Sequence, residues 1–545
     1  MISKENIIEK ILDCSPWDDQ LASGLMNYGF QEPSKTWKDL TNIAKSANFK
    51  KLYPHFFSRL LDLSARSYNA DLALHSLERF SEKFFDKDHL FTILSESESL
   101  LEALIFLFSG SQILTDSVLS EPSYVNWLNR PGTLTESKSK DILMRDFYEL
   151  VGEYSPNKNI SYILRKFKKR EYLRIGLRDL LGSAELMETI EDISNLADVC
   201  LQIAYEKADR DLKTKYGLPS YKDSEGNWKE SEFTILGMGK LGGKELNYSS
   251  DIDLIYIYTS NQGETRPDLS HSSSIIKITN HEYFSKLAQQ ITESINEITS
   301  EGNVFRVDLD LRPDGPSGEI VSSLASCETY YQSWGRTWER QAYIKARVSA
   351  GSEALGKEFL TMMEPFIYRR SLDFEAIEEI KSMKKNINKS LKGNKSENIK
   401  LGFGGIREVE FFIQTNQLLF GGRNKALRIR GSLSALRILK EENIISKEDF
   451  VCLSEAYIFL RNLENRVQIT FGMQTHKLPE KIEDRAVLAR KMRIEGETKE
   501  ELVANLMKTY ESHTSFVGKI YSEQFAKKEK RDMAEVILNE WEESQ

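Results

Sequence analysis

Cysteine is scarce in this 545-residue chain, at four residues, Cys14, Cys200, Cys327 and Cys452. They stand far apart and never as Cys-x-x-Cys. That excludes a disulfide framework and a cysteine-ligated zinc site, and leaves buried free thiols as the default. Long apolar runs are also missing. The run Ala103-Leu-Ile-Phe-Leu-Phe108 is rivalled by nothing longer; it is far too short to span a bilayer and reads as a buried helix. The N-terminus, Met-Ile-Ser-Lys-Glu-Asn, has no signal-peptide pattern. A basic excess is absent too. Lys and Arg number 74 against 83 Asp and Glu, a formal charge of -9. That argues against a general nucleic-acid binder, which would be basic, while leaving room for one local basic groove. A cytoplasmic enzyme without membrane or nucleic-acid partners fits this balance, and the length allows three or four domains.

What is present is organised in three stretches. Residues 1–216 read as a helical region. Apolar residues recur at three- and four-residue spacings through Leu74–Phe85, Leu100–Phe108 and Leu180–Ile203. The basic run Arg165-Lys-Phe-Lys-Lys-Arg170 reads as a solvated helix face. Residues 217–365 form the catalytic stretch, opening on a turn-rich connector, Gly217–Gly226. Residues 366–545 return to helix. There Leu453, Ala456, Tyr457, Leu460, Leu463 and Val467 follow one stripe, which is core rather than a cofactor box. The turn Leu401-Gly-Phe-Gly-Gly405 opens a helix bearing Arg407, Glu408 and Glu410.

The chemistry is concentrated in Ile235-Leu-Gly-Met-Gly-Lys-Leu-Gly-Gly-Lys-Glu-Leu-Asn-Tyr-Ser-Ser-Asp251-Ile-Asp253-Leu-Ile255. A strand over 233–238 leads into a glycine loop, and a second strand runs from the aspartates to Tyr258. Residues two apart on a strand share a face, so Asp251 and Asp253 project side by side. Carboxylates that close repel unless a cation lies between them, and Mg²⁺ or Mn²⁺ suits that oxygen pair. The backbone at Gly239, Gly242 and Gly243, with Ser250, Lys240 and Lys244, offers groups for phosphate oxygens. An isolated Asp-x-Asp is ordinarily two solvated aspartates in a turn; the glycine loop and the flanking strand pattern reverse that reading here.

A third carboxylate is expected from a neighbouring strand. In Val304-Phe-Arg-Val-Asp308-Leu-Asp310-Leu-Arg312-Pro313, Phe305, Val307, Leu309 and Leu311 alternate with Arg306, Asp308, Asp310 and Arg312. That period of two predicts a strand over 305–311 with one polar face. A helix is predicted over His281–Ile298, and another carrying Trp338, Arg340, Lys345 and Arg347. Arg312 and Lys345 are further phosphate candidates. Ser322 and Ser323 either bind phosphate or cap the next helix.

Four segments carry a resemblance. They are Gly239–Asp253, Asp308-Leu-Asp-Leu-Arg-Pro-Asp-Gly-Pro-Ser-Gly-Glu-Ile-Val-Ser-Ser323, Trp338-Glu-Arg-Gln-Ala-Tyr-Ile-Lys-Ala-Arg347 and Lys400-Leu-Gly-Phe-Gly-Gly-Ile-Arg-Glu-Val-Glu-Phe411. In this order they resemble the glutamine synthetase adenylyltransferase/adenylyl-removing enzyme family, from about Leu173 to about Pro479. The resemblance implies an α+β, mostly helical chain. Its mixed nucleotidyltransferase (polymerase-beta-like) sheet would lie between an N-terminal helical region and a C-terminal helical bundle. It implies Mg²⁺ or Mn²⁺ on Asp251, Asp253 and Asp308, the last matching the family's third carboxylate. AMP, ADP or ATP and phosphate are the implied nucleotide and anion, glutamine synthetase the partner, and a PII-type nitrogen-signalling protein a second one.

Such enzymes hold two tandem units, one attaching AMP to a synthetase tyrosine and one removing it by phosphorolysis to ADP. This chain has one glycine–Asp-x-Asp segment and corresponds to one unit. Trp338-Glu-Arg340, Lys345, Arg369-Arg370-Ser-Leu-Asp373-Phe374 and Gln474-Thr-His-Lys-Leu-Pro479 resemble the removing half; Gln341 fits the attaching half. Lys400 and Arg407 are implied to support the site from the bundle.

Overall fold

A computed structural model describes residues 2–53, 55–154, 159–267, 276–369, 382, 397–472 and 474–542. The described part is mostly helical around two small sheets. β1 (Leu218–Lys222) pairs antiparallel with β2 (Trp228–Glu230) and β5 (Glu264–Arg266). The larger sheet has β3 (Phe233–Gly237) antiparallel to β4 (Ile252–Tyr258) and to β8 (Arg347–Gly351). β6 (Val307–Asp308) and β7 (Val321–Ser323) lie parallel to β4. The mixed sheet expected from the sequence is therefore present.

Alternation along β3 and β4 builds two faces. Phe233, Ile235, Ile252, Leu254, Tyr256 and Tyr258 join a core shared with the N-terminal helices. Leu236, Ile255 and Ile257 face a second core with Tyr331, Tyr343, Phe359 and Met363. The helix Asn280–Asn296 covers the first face through Tyr283, Phe284, Leu287 and Ile291. A reciprocal Thr279–Glu282 capping box starts it, satisfying backbone donors that helix ends leave open. Phe284 stacks on Phe233 and Tyr258 at ring-centroid distances of 5.9 and 4.8 Å. A third core holds the C-terminal bundle, and the stripe from Leu453 to Val467 is wholly buried in it.

Several expectations change. The pattern Leu180–Ile203 spans two helices, Ile160–Leu181 and Leu186–Tyr216, separated at Gly182, whose φ of 72° ends the first. The basic run 165–170 is not solvated. Arg165 is 2% exposed and donates to the carbonyls of Ser161, Glu297 and Gly302, while Lys166 and Lys169 pair with Glu301. That run joins the N-terminal helices to the segment that follows the helix Asn280–Asn296 and leads into β6. The connector 217–226 contains β1. The strand predicted over 305–311 shrinks to β6, because Asp308 Oδ1 accepts from the Asp310 N–H at 2.8 Å and bends the chain. The helix predicted through Lys345 and Arg347 ends at Tyr343. Arg347 instead opens β8, where its guanidinium is held by Asp198 and the Leu241 carbonyl. Among the described residues no helix is long and apolar enough to cross a membrane.

Candidate nucleotidyl-transfer site

The sheet's register decides which carboxylates meet. Asp253 pairs with Asp308 across β4 and β6, and Asp251 precedes β4 by one residue. All three line a cavity of about 340 Å³ with Gly239, Lys240, Ser250 and Lys345. Asp310 does not line it and is exposed. The Asp253 carboxyl is pushed up to about 6, first by burial and then by the charges of Asp308 and Asp251, against Lys400 and Lys240. Such crowding of partly buried carboxylates is relieved by a cation, and Arg306 already supplies one to Asp251. Three carboxylates suit a hard divalent ion, which takes oxygen ligands, but their oxygens are not all within 4.8 Å of one another; among the described residues that closeness is found at Asp39, His75 and Glu78.

The glycine loop is a single helical turn, Gly239–Gly242. Gly239 has φ of 51°, and a Cβ there would come 2.5 Å from Asp253 Oδ2, so glycine is required for the carboxylate to sit where it does. Gly242 is required for a different contact: a Cβ would meet the Lys345 carbonyl oxygen at 2.1 Å. The N–H groups of Gly242, Gly243, Lys244 and Glu245 are spent within the loop. Gly242 and Gly243 therefore shape the turn, and a phosphate would meet Gly239 and Lys240 at its start.

The predicted cations separate. Lys240 and Lys345 line the cavity; Lys244 and Arg312 do not. Lys244 turns away to Glu191, at 2.8 Å. Arg312 braces its own loop, donating to the carbonyls of Leu309, Pro316 and Gly318. Ser323 caps the helix Leu324–Ser333 rather than facing phosphate. Lys345 is 5% exposed and lies 2.7 Å from Glu245 and 3.1 Å from Glu410. Burial alone would lower its pKa, but those carboxylates hold the ammonium well above the ordinary lysine value. It ties the sheet to the bundle. Lys400, from the bundle, lines the cavity as anticipated, whereas Arg407 does not.

Sequence reasoning named Arg306 and Gln474 without placing them at the carboxylates, and missed Glu464 and Gln468. Arg306 donates to Asp251 Oδ1 and, at 2.5 Å, to the Ser249 carbonyl. Gln474 Nε2 donates to Asp251 Oδ2 at 3.0 Å. Glu464, without exposure, lies 3.2 Å from Lys240 Nζ and accepts from Asn247. Gln468 accepts from the Ser249 N–H at 3.1 Å. Arg461, Glu464 and Gln468 recur at helical spacing beside the apolar stripe of the helix Lys447–Phe471. A polar stripe within a buried helix was the available signal.

Comparisons with known proteins point to one family. Residues 101–362 match the family model described as glutamate-ammonia ligase adenylyltransferase, and residues 376–525 one described as GlnD PII-uridylyltransferase. A relative from Nitrosococcus oceani, a bifunctional glutamine synthetase adenylyltransferase/adenylyl-removing enzyme, is 41% identical over 424 residues, covering 76% of this chain and 42% of its own. Those from Pseudomonas aeruginosa and Alteromonas mediterranea bear the same name. The first is 38% identical over 393 residues, with 72% and 39% covered, and the second 41% over 327, with 60% and 32%. The chain spans about two fifths of the length of the first curated relatives it matches. With its sheet, glycine loop and three carboxylates in the expected order, the chain belongs to the glutamate-ammonia ligase adenylyltransferase family of nucleotidyltransferases.

Proposed function

We propose that this chain is a nucleotidyl-transfer enzyme that removes AMP from a modified tyrosine of glutamine synthetase by phosphorolysis, releasing ADP. The observation that carries the reading is the convergence of Asp251, Asp253 and Asp308 on one cavity, with Asp253 raised first by burial and then by the other two carboxylates. These three would hold Mg²⁺ or Mn²⁺, which when bound neutralises phosphoryl charge and orients an in-line displacement. The chain's own residues position the rest. Gly239 and Lys240 border the phosphates, and Ser250 lies at the same wall. Lys400 adds positive charge from the bundle. Gln474 and Arg306 fix the Asp251 carboxylate.

The direction rests on Trp338-Glu-Arg340, Lys345 and Gln474-Thr-His476, which resemble the removing half. Gln474 and His476 line the cavity, which supports a role at the reacting centre. Arg370–Phe374 lie outside the described residues. One feature favours attachment with ATP as donor: Gln341, typical of that half, donates to Gln414 at 2.6 Å, and Gln414 lines the cavity. A PII-type signalling protein is the proposed regulator, supported by the match of residues 376–525 to a PII-uridylyltransferase model. Two reactions on one preparation test the direction. One offers labelled ATP with unmodified synthetase, the other phosphate with the AMP-modified form. ADP release in the second is expected; labelling in the first without any ADP in the second would assign attachment.

A further inference from the structure

The buried helix Lys447–Phe471 places one carboxylate, Glu464, against the catalytic loop. Burial would raise its pKa, but the charges of Lys240, His476 and Arg461 hold it well below the usual carboxylate range, so it stays anionic. His476 lies just beyond the end of that helix. Its backbone is fixed: the Ile399 N–H donates to its carbonyl at 2.7 Å. Its Nδ1 lies 2.8 Å from Glu464 Oε1 and is closed off from solvent, an ion-pair distance without the alignment of a hydrogen bond. The side chain is nevertheless 19% exposed, and it lines the cavity that holds Asp251, Asp253 and Asp308. The His476 side chain therefore bridges Glu464 and the cavity wall. A carboxylate behind a histidine fixes its tautomer and stabilises the imidazolium, the arrangement of an acid–base catalyst.

The attacking phosphate carries a proton, but in an in-line displacement it enters on the face opposite the departing oxygen, so the phosphorolytic reading leaves the proton donor to that oxygen unassigned. When the tyrosine oxygen departs it carries the electron pair of the broken bond, and a phenol is protonated at neutral pH. We infer that His476, oriented by Glu464, is the group that exchanges this proton with the tyrosine oxygen; the inference rests on the reading of the site as one acting on tyrosine-linked AMP. In removal, a phosphate oxygen forms the new bond to the AMP phosphorus and the bond from phosphorus to the tyrosine oxygen breaks. The pair stays on the phenolic oxygen, and the His476 imidazolium gives it the Nε2 proton. The products are ADP, a tyrosine hydroxyl and a neutral imidazole that solvent reprotonates. In attachment the neutral Nε2 takes the phenolic proton as the tyrosine oxygen bonds to the α-phosphorus of ATP and pyrophosphate leaves. Lys240 and Lys400 share the cavity, and Glu464 is the anion in direct contact that offsets them.

The experiment compares wild type with His476→Gln on two substrates. These are glutamine synthetase modified on its natural tyrosine, and the same protein carrying tetrafluorotyrosine there, whose oxygen departs without needing a proton. With the natural tyrosine the variant should lose about 10²–10⁴-fold, the range for a positioned acid or base. With the fluorinated one the loss should fall to less than about tenfold, since that contribution is no longer needed. ADP binding in the presence of Mn²⁺, measured by calorimetry, should match wild type. Equal losses on both substrates, an undiminished variant, or a variant that no longer binds ADP would each overturn the inference. If wild type attaches AMP and releases no ADP, the removal reading fails, and the same crossover is then required in the attaching reaction. A wild type with neither activity overturns both.

Discussion

Asp253 and Asp308 are register partners on the parallel strands β4 and β6, so two carboxylates far apart in sequence are held on one cavity wall. Asp310, two residues on, is outside that wall. Its N–H instead donates to Asp308 and fixes that carboxyl. Asp251→Asn, Asp253→Asn or Asp308→Ala should each cost several kcal/mol of transition-state stabilisation, about three powers of ten or more in kcat. Asp310→Ala should cost less than about tenfold, because what it supplies to Asp308 is a backbone group that alanine keeps. Steady-state rates for the four variants, with circular dichroism to confirm folding, check this. Equal losses at 308 and 310 would place the third ligand wrongly.

Lys345 lines the cavity, but its ammonium is committed to carboxylates, which predicts a structural tie rather than a phosphate clamp. It is shared by Glu245, Glu410 and Ser432, which joins the turn before β8 to the bundle. The Glu410 carboxyl is held down to about 2: burial opposes ionisation, but Lys345, Arg461 and Lys240 outweigh it. Lys345→Met strands the buried Glu245 and takes the nearest cation from the partly exposed Glu410, a loss of about 3 kcal/mol, the low end for a broken buried pair. Urea unfolding should show that loss, with KM for phosphate little changed where the variant is folded. Normal stability with a raised KM would return Lys345 to the ligand.

Lys491 makes a separate prediction about pH. It is buried between the N-terminal helices and the bundle, donating to the Gly110 carbonyl and to Thr470 at 2.6 Å each. Burial pulls it down to about 7; Arg466 adds to that and Asp484 opposes it. In the unfolded chain a lysine keeps its proton to about 10.4. Between these values the unfolded state binds more protons, so this group makes stability rise with pH from about 7 to about 10 and contributes a constant penalty below 7. Lys491→Met should flatten that rise. Urea midpoints at pH 7 and pH 9 for both proteins read it, and identical slopes would refute it.

Local signals carried much of the fold and the centre of the site. The glycine loop, the Asp-x-Asp pair and the alternation through Asp308 suffice because each is a backbone-period effect written in consecutive residues. What they could not show is which cation serves the cavity. Lys240 and Lys244 sit in one loop, and only its single helical turn sends one to Glu464 and the other to Glu191. Nor do they reveal Glu464 or the contact of Gln474 with Asp251. Those partners lie more than 200 positions away along the chain and are joined by packing of the bundle on the sheet. The basic run at 165–170 misled for the same reason: its carbonyl and carboxylate partners, such as Gly302 and Glu301, come from beyond the helix.

The most direct measurement follows the phosphorus itself. Glutamine synthetase carrying ³²P-labelled AMP on its tyrosine is incubated with this chain, Mg²⁺ and inorganic phosphate, and the released nucleotide is separated. Label should appear as ADP, only with phosphate present, and should vanish with Asp253→Asn. Label released as AMP without phosphate, or released equally by Asp253→Asn, would contradict the account.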